Sequence, residues 1–169
     1  MRMNAVGRML PAVDLTKYQH TETIVIAASP EAVYDLVADI TRMGEWSPVS
    51  QGGDFDAADT TKFTGHNKNG ELEWSTQCRI DVAERGKEFT FVNTGFAGDI
   101  DLVQWSYTFT PADGGCEVSE RWEVLPSYPA FIENLLQGTS AGDYLDGVIE
   151  PTQTGMAATL ANLKAAAEA

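Results

Sequence analysis

Residues 101–124, DLVQWSYTFTPADGGCEVSERWEV, carry the pattern that decides the fold. Apolar and polar residues alternate on both sides of the turn signal Asp113-Gly114-Gly115. Because successive side chains of a β-strand point to opposite faces, each half predicts a strand with one apolar face. The two halves form a predicted hairpin. Its predicted inner face consists of Val103, Trp105, Tyr107, Phe109, Cys116, Val118, Glu120, Trp122 and Val124.

The same alternation continues on the N-terminal side of this hairpin. Strands are predicted in EWSTQCRIDV (73–82) and KEFTFVN (87–93), and an earlier strand through 62–67. Turn signals at Asn69-Gly70 and Arg85-Gly86 separate these runs. The run of hairpins therefore predicts an antiparallel sheet with one buried face, and the β-branched segment 21–28 predicts its first strand.

Helices are predicted at both ends of this sheet. Ser29-Pro30-Glu31 has the cap, first-turn proline and acidic residue of a helix start, and that helix is expected to end near Asp39 to Met43, at Gly44. Residues 44–61 predict a connection with a short helical turn around Trp46. A short helix is predicted over 129–137, followed by a long helix whose apolar stripe runs from Leu145 to Leu163. Pro151 must either begin that helix or kink it.

Length and composition limit the classes of function. The chain has 169 residues and a net charge of −14, which disfavours nucleic acid and anionic membrane surfaces as partners. We expect no membrane insertion, since no apolar run reaches the roughly 18 residues of a membrane span, and a cytoplasmic location is the default. We predict a loosely ordered leader over 1–19 and one domain over 20–169.

Three stretches resemble the START-like (SRPBCC) superfamily, in its polyketide cyclase/dehydrase and lipid-transport branch. They are IVIAASPEAVYDLVADITRMGEWSP (24–48), KFTGHNKNGELEWSTQCRI (62–80) and QWSYTFTPADGGCEVSERWEV (104–124). The resemblance covers about residues 20–168. It implies an α+β helix-grip fold, in which a seven-stranded antiparallel sheet curves around a long C-terminal helix. Segment 126–142 is longer than a simple connection needs, and we interpret it as a lid insertion.

Glu120 is the main candidate for a functional residue, because the alternation places its carboxylate on the apolar face. A buried carboxylate takes up a proton or finds a partner. The functional interpretation is a cavity acid, base or ligand anchor, and the structural one is a hydrogen-bonded group inside the fold. Tyr107 lies on the adjacent strand and can supply a hydroxyl to Glu120.

Further residues are expected to line a ligand cavity. The predicted ligand-binding set is Asn67, Trp74, Cys78, Phe91, Trp105, Trp122 and Met156. Packing is the alternative role for each tryptophan, and a turn is the alternative role for Asn67. The spacing of His20, His66 and the two cysteines predicts no metal site, and no cofactor is expected. In the strand order that the resemblance implies, two strands lie between those of Cys78 and Cys116, so both are predicted to be free, buried thiols.

Three functions remain open at this stage. The first is binding of a hydrophobic small molecule, such as a lipid, polyketide or aromatic metabolite. The second is a polyketide cyclase or dehydratase, with Glu120 and Tyr107 as acid–base groups and Asn67 orienting a carbonyl. The third is an interaction module like the activators of chaperones. The sequence leaves the oligomeric state open, a homodimer included.

Overall fold

The computed structural model describes residues 12–169 in full, and within 1–11 only the backbone of two paired strands, β1 (Arg2–Met3) and β2 (Met9–Leu10). Part of the predicted leader, namely residue 1, residues 4–8 and residue 11, therefore lies outside the described residues. In its described part, a 3-10 turn over Leu15–Lys17 leads to Tyr18, which is fully buried. The next residue already begins the main sheet.

The main sheet has seven strands, all antiparallel, as the resemblance implies. Its strands are β3 (Gln19–Ile26), β4 (Ser50–Phe55), β5 (Lys62–Asn69), β6 (Leu72–Glu84), β7 (Glu88–Asn93), β8 (Val103–Ala112) and β9 (Gly115–Val124). Their order is β3-β9-β8-β7-β6-β5-β4. The first strand of the domain therefore pairs with the last, and the hairpin β8–β9 lies beside it.

Glycines at the predicted turns allow two of the hairpins to close. Gly70 joins β5 to β6 with φ 61°, and Gly114 joins β8 to β9 with φ 75°. Side chains with a Cβ rarely adopt these left-handed conformations, so the two glycines fit the turns that the sequence predicts.

Strand β4 corrects the prediction that residues 44–61 form only a connection. Its sequence, SQGGDF, has little β propensity, yet it pairs with β5 at the edge of the sheet. Glycine fits this edge for a steric reason. A Cβ at Gly53 would lie 2.6 Å from the carbonyl oxygen of Thr64. The predicted helical turn is a 3-10 helix, Ile40–Glu45, that ends directly before Trp46.

Three α-helices complete the fold: α1 (Pro30–Ala38), α2 (Tyr128–Leu135) and α3 (Ala141–Ala167). Helix α1 ends at Ala38, directly before the predicted range of Asp39 to Met43. Pro151 lies inside α3 and does not begin it, because the helix begins at Ala141. Ser140 caps it there by accepting a hydrogen bond from the backbone N–H of Asp143. No helix within residues 12–169 combines the length and apolar character needed to cross a bilayer.

Helix α3 lies against the inner face of the sheet and is tied to β3 near both of its ends. The Tyr18 hydroxyl donates to Asp146 Oδ1 at 2.7 Å, and Lys164 Nζ donates to the carbonyl oxygen of Val25 at 2.8 Å. The buried residues of α3 are Ala141, Leu145, Met156, Thr159, Leu160 and Leu163. Two apolar clusters result, and Trp105 packs against both. The helix-grip arrangement is confirmed.

Candidate functional site

Three neighbouring strands place six side chains in two rows on the inner face. The first row runs His20–Trp122–Trp105 and the second runs Glu22–Glu120–Tyr107, each across β3, β9 and β8. Directly opposed residues of this kind have Cβ atoms about 4.5–5.5 Å apart, and the rows are two residues, or about 7 Å, apart along the strands. We call these six residues the inner-face block.

Glu120 and Tyr107 form the buried centre of the inner-face block. The Tyr107 hydroxyl donates to Glu120 Oε1 at 2.7 Å. Glu120 is only 3% exposed and Tyr107 only 5%. Glu120 Oε2 is buried and has no hydrogen-bond partner among the described residues. Because buried polar atoms are nearly always paired, this oxygen is a candidate for a partner that the described residues do not supply.

Burial determines the charge of Glu120. Loss of hydration is the main cause that raises the pKa of this carboxyl from 4.5 to about 8; the hydrogen bond from Tyr107 opposes the rise, and the negative charge of Glu22 adds to it. The pKa of Tyr107 is raised well above its usual value by the same burial and by Glu120. At neutral pH Glu120 therefore keeps its proton and Tyr107 keeps its own.

Glu22 and His20 complete the inner-face block, and the sequence analysis missed the position of Glu22. His20 Nε2 lies 2.8 Å from Glu22 Oε2. The side chains are 28% and 37% exposed, so this corner of the block meets solvent at the edge of the sheet. The sequence did indicate this position, because alternation along β3 places Glu22 on the same face as Ile24 and Ile26.

Four of the other predicted ligand-binding residues lie in or beside the inner-face block. Trp105 and Trp122 are directly opposed, Phe91 is opposed to Trp105 on the next strand, and Met156 of α3 belongs to the same buried cluster as Trp122. These contacts suit a ligand wall and equally suit a packed core.

The remaining three predicted residues lie apart from Glu120. Asn67 pairs with Trp74 near the β5–β6 turn, and β5 is four strands away from β9. Cys78 lies in the apolar cluster with Phe63 and Phe91, where burial raises the pKa of its thiol to about 11. The structure therefore does not bring Asn67 to the Tyr107–Glu120 pair.

Two surface depressions lie elsewhere on the molecule. One, of about 430 Å³, is lined by residues of β4, β5 and β6 and the loop after β7, including His66, Gln77 and Gly98. The other, of about 680 Å³, lies at α2 and includes Ile100, Phe131 and Leu135. Neither is lined by Glu120 or Tyr107, and the low exposure of these two side chains shows that the centre of the inner-face block is shielded from solvent.

The cysteines and the possible metal ligands can be placed directly. Cys78 and Cys116 are free and buried, as predicted. Within the described residues, no group of three or more His, Cys, Asp or Glu side chains could hold a metal ion.

The sequence also matches a known protein family. The profile of the family described as polyketide cyclase / dehydrase and lipid transport matches residues 18–168. The chain belongs to this family. No curated protein matches the chain at a significant level.

Solved structures of the polyketide cyclase/dehydrase type have the same fold. A Polyketide_cyc-like protein from Corynebacterium glutamicum is 30% identical, with a TM-score of 0.56 and 89% of each chain covered. An aromatase/cyclase from a Streptomyces species is 13% identical, with a TM-score of 0.64 over 89% of this chain and 93% of the other.

The di-domain ARO/CYC protein StfQ, from the steffimycin biosynthetic pathway, is 15% identical with a TM-score of 0.68. The match covers 89% of this chain and 50% of StfQ, so the chain spans half the length of that di-domain protein. At such identities the likeness to StfQ and to the Streptomyces enzyme shows the fold alone.

Proposed function

We propose that the protein binds a hydrophobic small molecule between the inner face of the sheet and α3, with Glu120 as its polar anchor. The observation that carries this proposal is the state of the Glu120 carboxyl. One oxygen accepts a hydrogen bond from Tyr107, and the other is buried without a partner among the described residues. A buried polar atom left unpaired costs about 1–3 kcal/mol, and a ligand atom that bonds to it recovers that energy.

Aromatic side chains beside the anchor supply the apolar part of the site. Trp105 and Trp122 lie in the row next to Glu120, and Phe91 follows Trp105 on the next strand. Each large aromatic side chain offers roughly 150–250 Å² of contact surface. The names of the aromatase/cyclase neighbours support a ligand of polyketide-like or aromatic character.

Ligand access requires a movement, since Glu120, Tyr107 and Trp122 of the inner-face block are buried. We assign this movement to segment 126–142, which contains α2. Helix α2 has a single buried residue, Ile132, and its first turn has no side-chain cap. Elements with few buried contacts need the least free energy to open, so the sparse burial of α2 supports its role as the lid.

Native mass spectrometry of the protein purified from its own host tests this proposal. The wild-type protein is expected to carry a retained small molecule that organic extraction releases. Glu120→Gln is expected to retain at least tenfold less, because it changes the group that anchors the ligand. Glu117→Gln, on the outer face of the same strand, is the matched control and should retain the wild-type amount. Equal retention in all three proteins, or no retained or saturably bound molecule in any, would overturn the proposal.

Catalysis is a second candidate, favoured by the direct contact of two titratable groups. With a pKa of about 8, Glu120 can act as a proton donor at neutral pH and as a base above pH 8. A cyclase or dehydratase reaction needs a proton moved at a substrate oxygen or carbon, which this pair can perform once a substrate lies against Oε2. If Glu120→Asp binds the retained molecule normally but converts it more slowly, the catalytic function is supported; binding without any conversion by the wild type argues for a carrier.

A further inference from the structure

The inner-face block contains two carboxyl groups directly opposite each other, Glu22 on β3 and Glu120 on β9. Two like charges in this position repel one another and destabilise the sheet. His20 lies within hydrogen-bond distance of Glu22, whereas Oε2 of Glu120 has no hydrogen-bond partner among the described residues.

No Lys or Arg bonds to either of these carboxyl groups among the described residues. The groups around Glu120 are Glu22 and His20 from β3 and Tyr107 from β8, and the buried residues of α3 are all uncharged. Two basic side chains on the neighbouring elements, Arg121 of β9 and Lys164 of α3, have other partners. Arg121 points to the outer face and bonds to Glu123, and Lys164 bonds to Glu168 and to the backbone of β3.

Aromatic rings lie next to this pair of carboxyl groups. Trp105 and Trp122 occupy the adjacent row, about 7 Å along the strands, and Tyr107 is the direct neighbour of Glu120. The faces of such rings attract cations within about 6 Å of the ring centre. Two carboxyl groups beside tryptophan rings, with no Lys or Arg bonded to them among the described residues, form surroundings that favour a positive charge.

We propose that the ligand is a hydrophobic amine, whose ammonium group binds between Glu22 and Glu120 while its apolar body packs against the tryptophans of the inner-face block. This assignment rests on the proposed function and narrows it to one ligand class. The buried, unpartnered oxygen Oε2 is the acceptor for an N–H of the ammonium group. A charge-assisted bond of this kind is about twice as strong as a neutral one, so the amine gains more from Oε2 than an alcohol does.

Binding of the amine is coupled to a proton. The neutral Glu120 carboxyl must release its proton to solvent before it faces the ammonium as a carboxylate. Below pH 8 the affinity for the amine should therefore rise with pH, by up to tenfold per unit, and about one proton should be released per molecule bound. A neutral ligand should release none in this range.

Isothermal titration calorimetry with a matched pair of probes tests the inference. The probes are naphthalen-2-ylmethanamine, a cation at pH 7–8, and the neutral naphthalen-2-ylmethanol, which has the same size. Wild-type protein is expected to bind the amine at least tenfold more tightly than the alcohol at pH 8. Glu120→Gln should remove that preference and Glu22→Gln should reduce it, while the affinity for the alcohol changes less than threefold.

Glu117→Gln again serves as the control, because it removes the same charge from the outer face of β9. It separates recognition by Glu120 from general attraction of a cation to a chain with a net charge of −14. If wild type binds the alcohol as tightly as the amine, the amine assignment is wrong and the hydrophobic site stands. If the amine preference survives Glu120→Gln or disappears with Glu117→Gln, the assignment is also wrong. If neither probe binds saturably, the proposed function falls together with it.

Discussion

Glu120→Gln should remove a loss of stability that the wild type shows as the pH rises from 5 to 8. The native state raises the pKa of Glu120 from 4.5 to about 8, so the stability present below pH 4.5 is lost as the pH rises toward 8. Above pH 4.5 the unfolded chain releases this proton while the folded chain keeps it. The free energy of unfolding then falls by about 1.4 kcal/mol per pH unit.

The same linkage between proton binding and folding gives the size of the change in the free energy of unfolding. Between pH 5 and pH 8 the wild type should lose about 3–4 kcal/mol of stability through Glu120 alone. Glutamine has no proton to exchange and its side-chain oxygen can still accept from Tyr107. The free energy of unfolding of Glu120→Gln relative to wild type should therefore rise by that amount over the same range.

Urea denaturation at pH 5, 6, 7 and 8 measures this difference directly, because the other titrating groups cancel between the two proteins. Glu117→Gln, on the exposed face of β9, should show a nearly constant difference from wild type. A flat difference for Glu120→Gln would refute the reasoning, since it would mean that Glu120 is ionised in the folded protein at pH 7.

The Tyr107–Glu120 hydrogen bond, the buried face of α3 and the two free cysteines can each be tested. Tyr107→Phe leaves Glu120 Oε1 without its donor and should cost about 1–3 kcal/mol at pH 5 in urea denaturation; an unchanged midpoint would show that the hydrogen bond is absent in solution. Leu163→Ala, at a fully buried position of α3, should lower the free energy of unfolding by about 2–5 kcal/mol. Leu72→Ala, at a side chain that is 65% exposed, should change it by no more than about 0.5 kcal/mol. Similar changes for both would contradict the placement of α3. Thiol titration should find both cysteines unreactive in the native protein and two free thiols after unfolding without reductant, and a value of zero after unfolding would disprove their free state.

The alternation of apolar residues made most of the sheet predictable. In β8 and β9 one face is apolar and the other polar, so the inward position of Glu120 and its pairing with Tyr107 followed from the sequence. Strand β4 escaped prediction because its residues have little β propensity. Pairing along the edge of β5, with glycine at a close backbone approach, overrides that local preference.

The candidate site was predictable only where strands adjacent in sequence are also adjacent in space. Glu22 reaches Glu120 because the first strand pairs with the last, across about 100 residues of chain. Asn67 is the opposite case, since its inward position on β5 says nothing of its distance from Glu120, and three strands lie between β5 and β9. Parity gives the face of a residue, whereas strand order decides which residues meet.

The proposed anchor has a cost in the unliganded protein. A buried carboxyl with one unpaired oxygen and a second carboxyl opposite it lowers stability at neutral pH. Groups of this kind concentrate at functional sites, where a bound ligand supplies the missing interaction. Ligand binding should therefore stabilise this protein more strongly at pH 8 than at pH 5 if the ligand is a cation.

An NMR titration with naphthalen-2-ylmethanamine and naphthalen-2-ylmethanol tests the central claim, the internal site, most directly. Chemical-shift changes are expected to concentrate on the inner-face block, above all on Trp105, Tyr107, Glu120 and Trp122. The competing locations are the 430 Å³ depression at His66 and Gln77 and the 680 Å³ depression at Phe131 and Leu135. Shifts confined to either depression, with the block unchanged, would contradict the account.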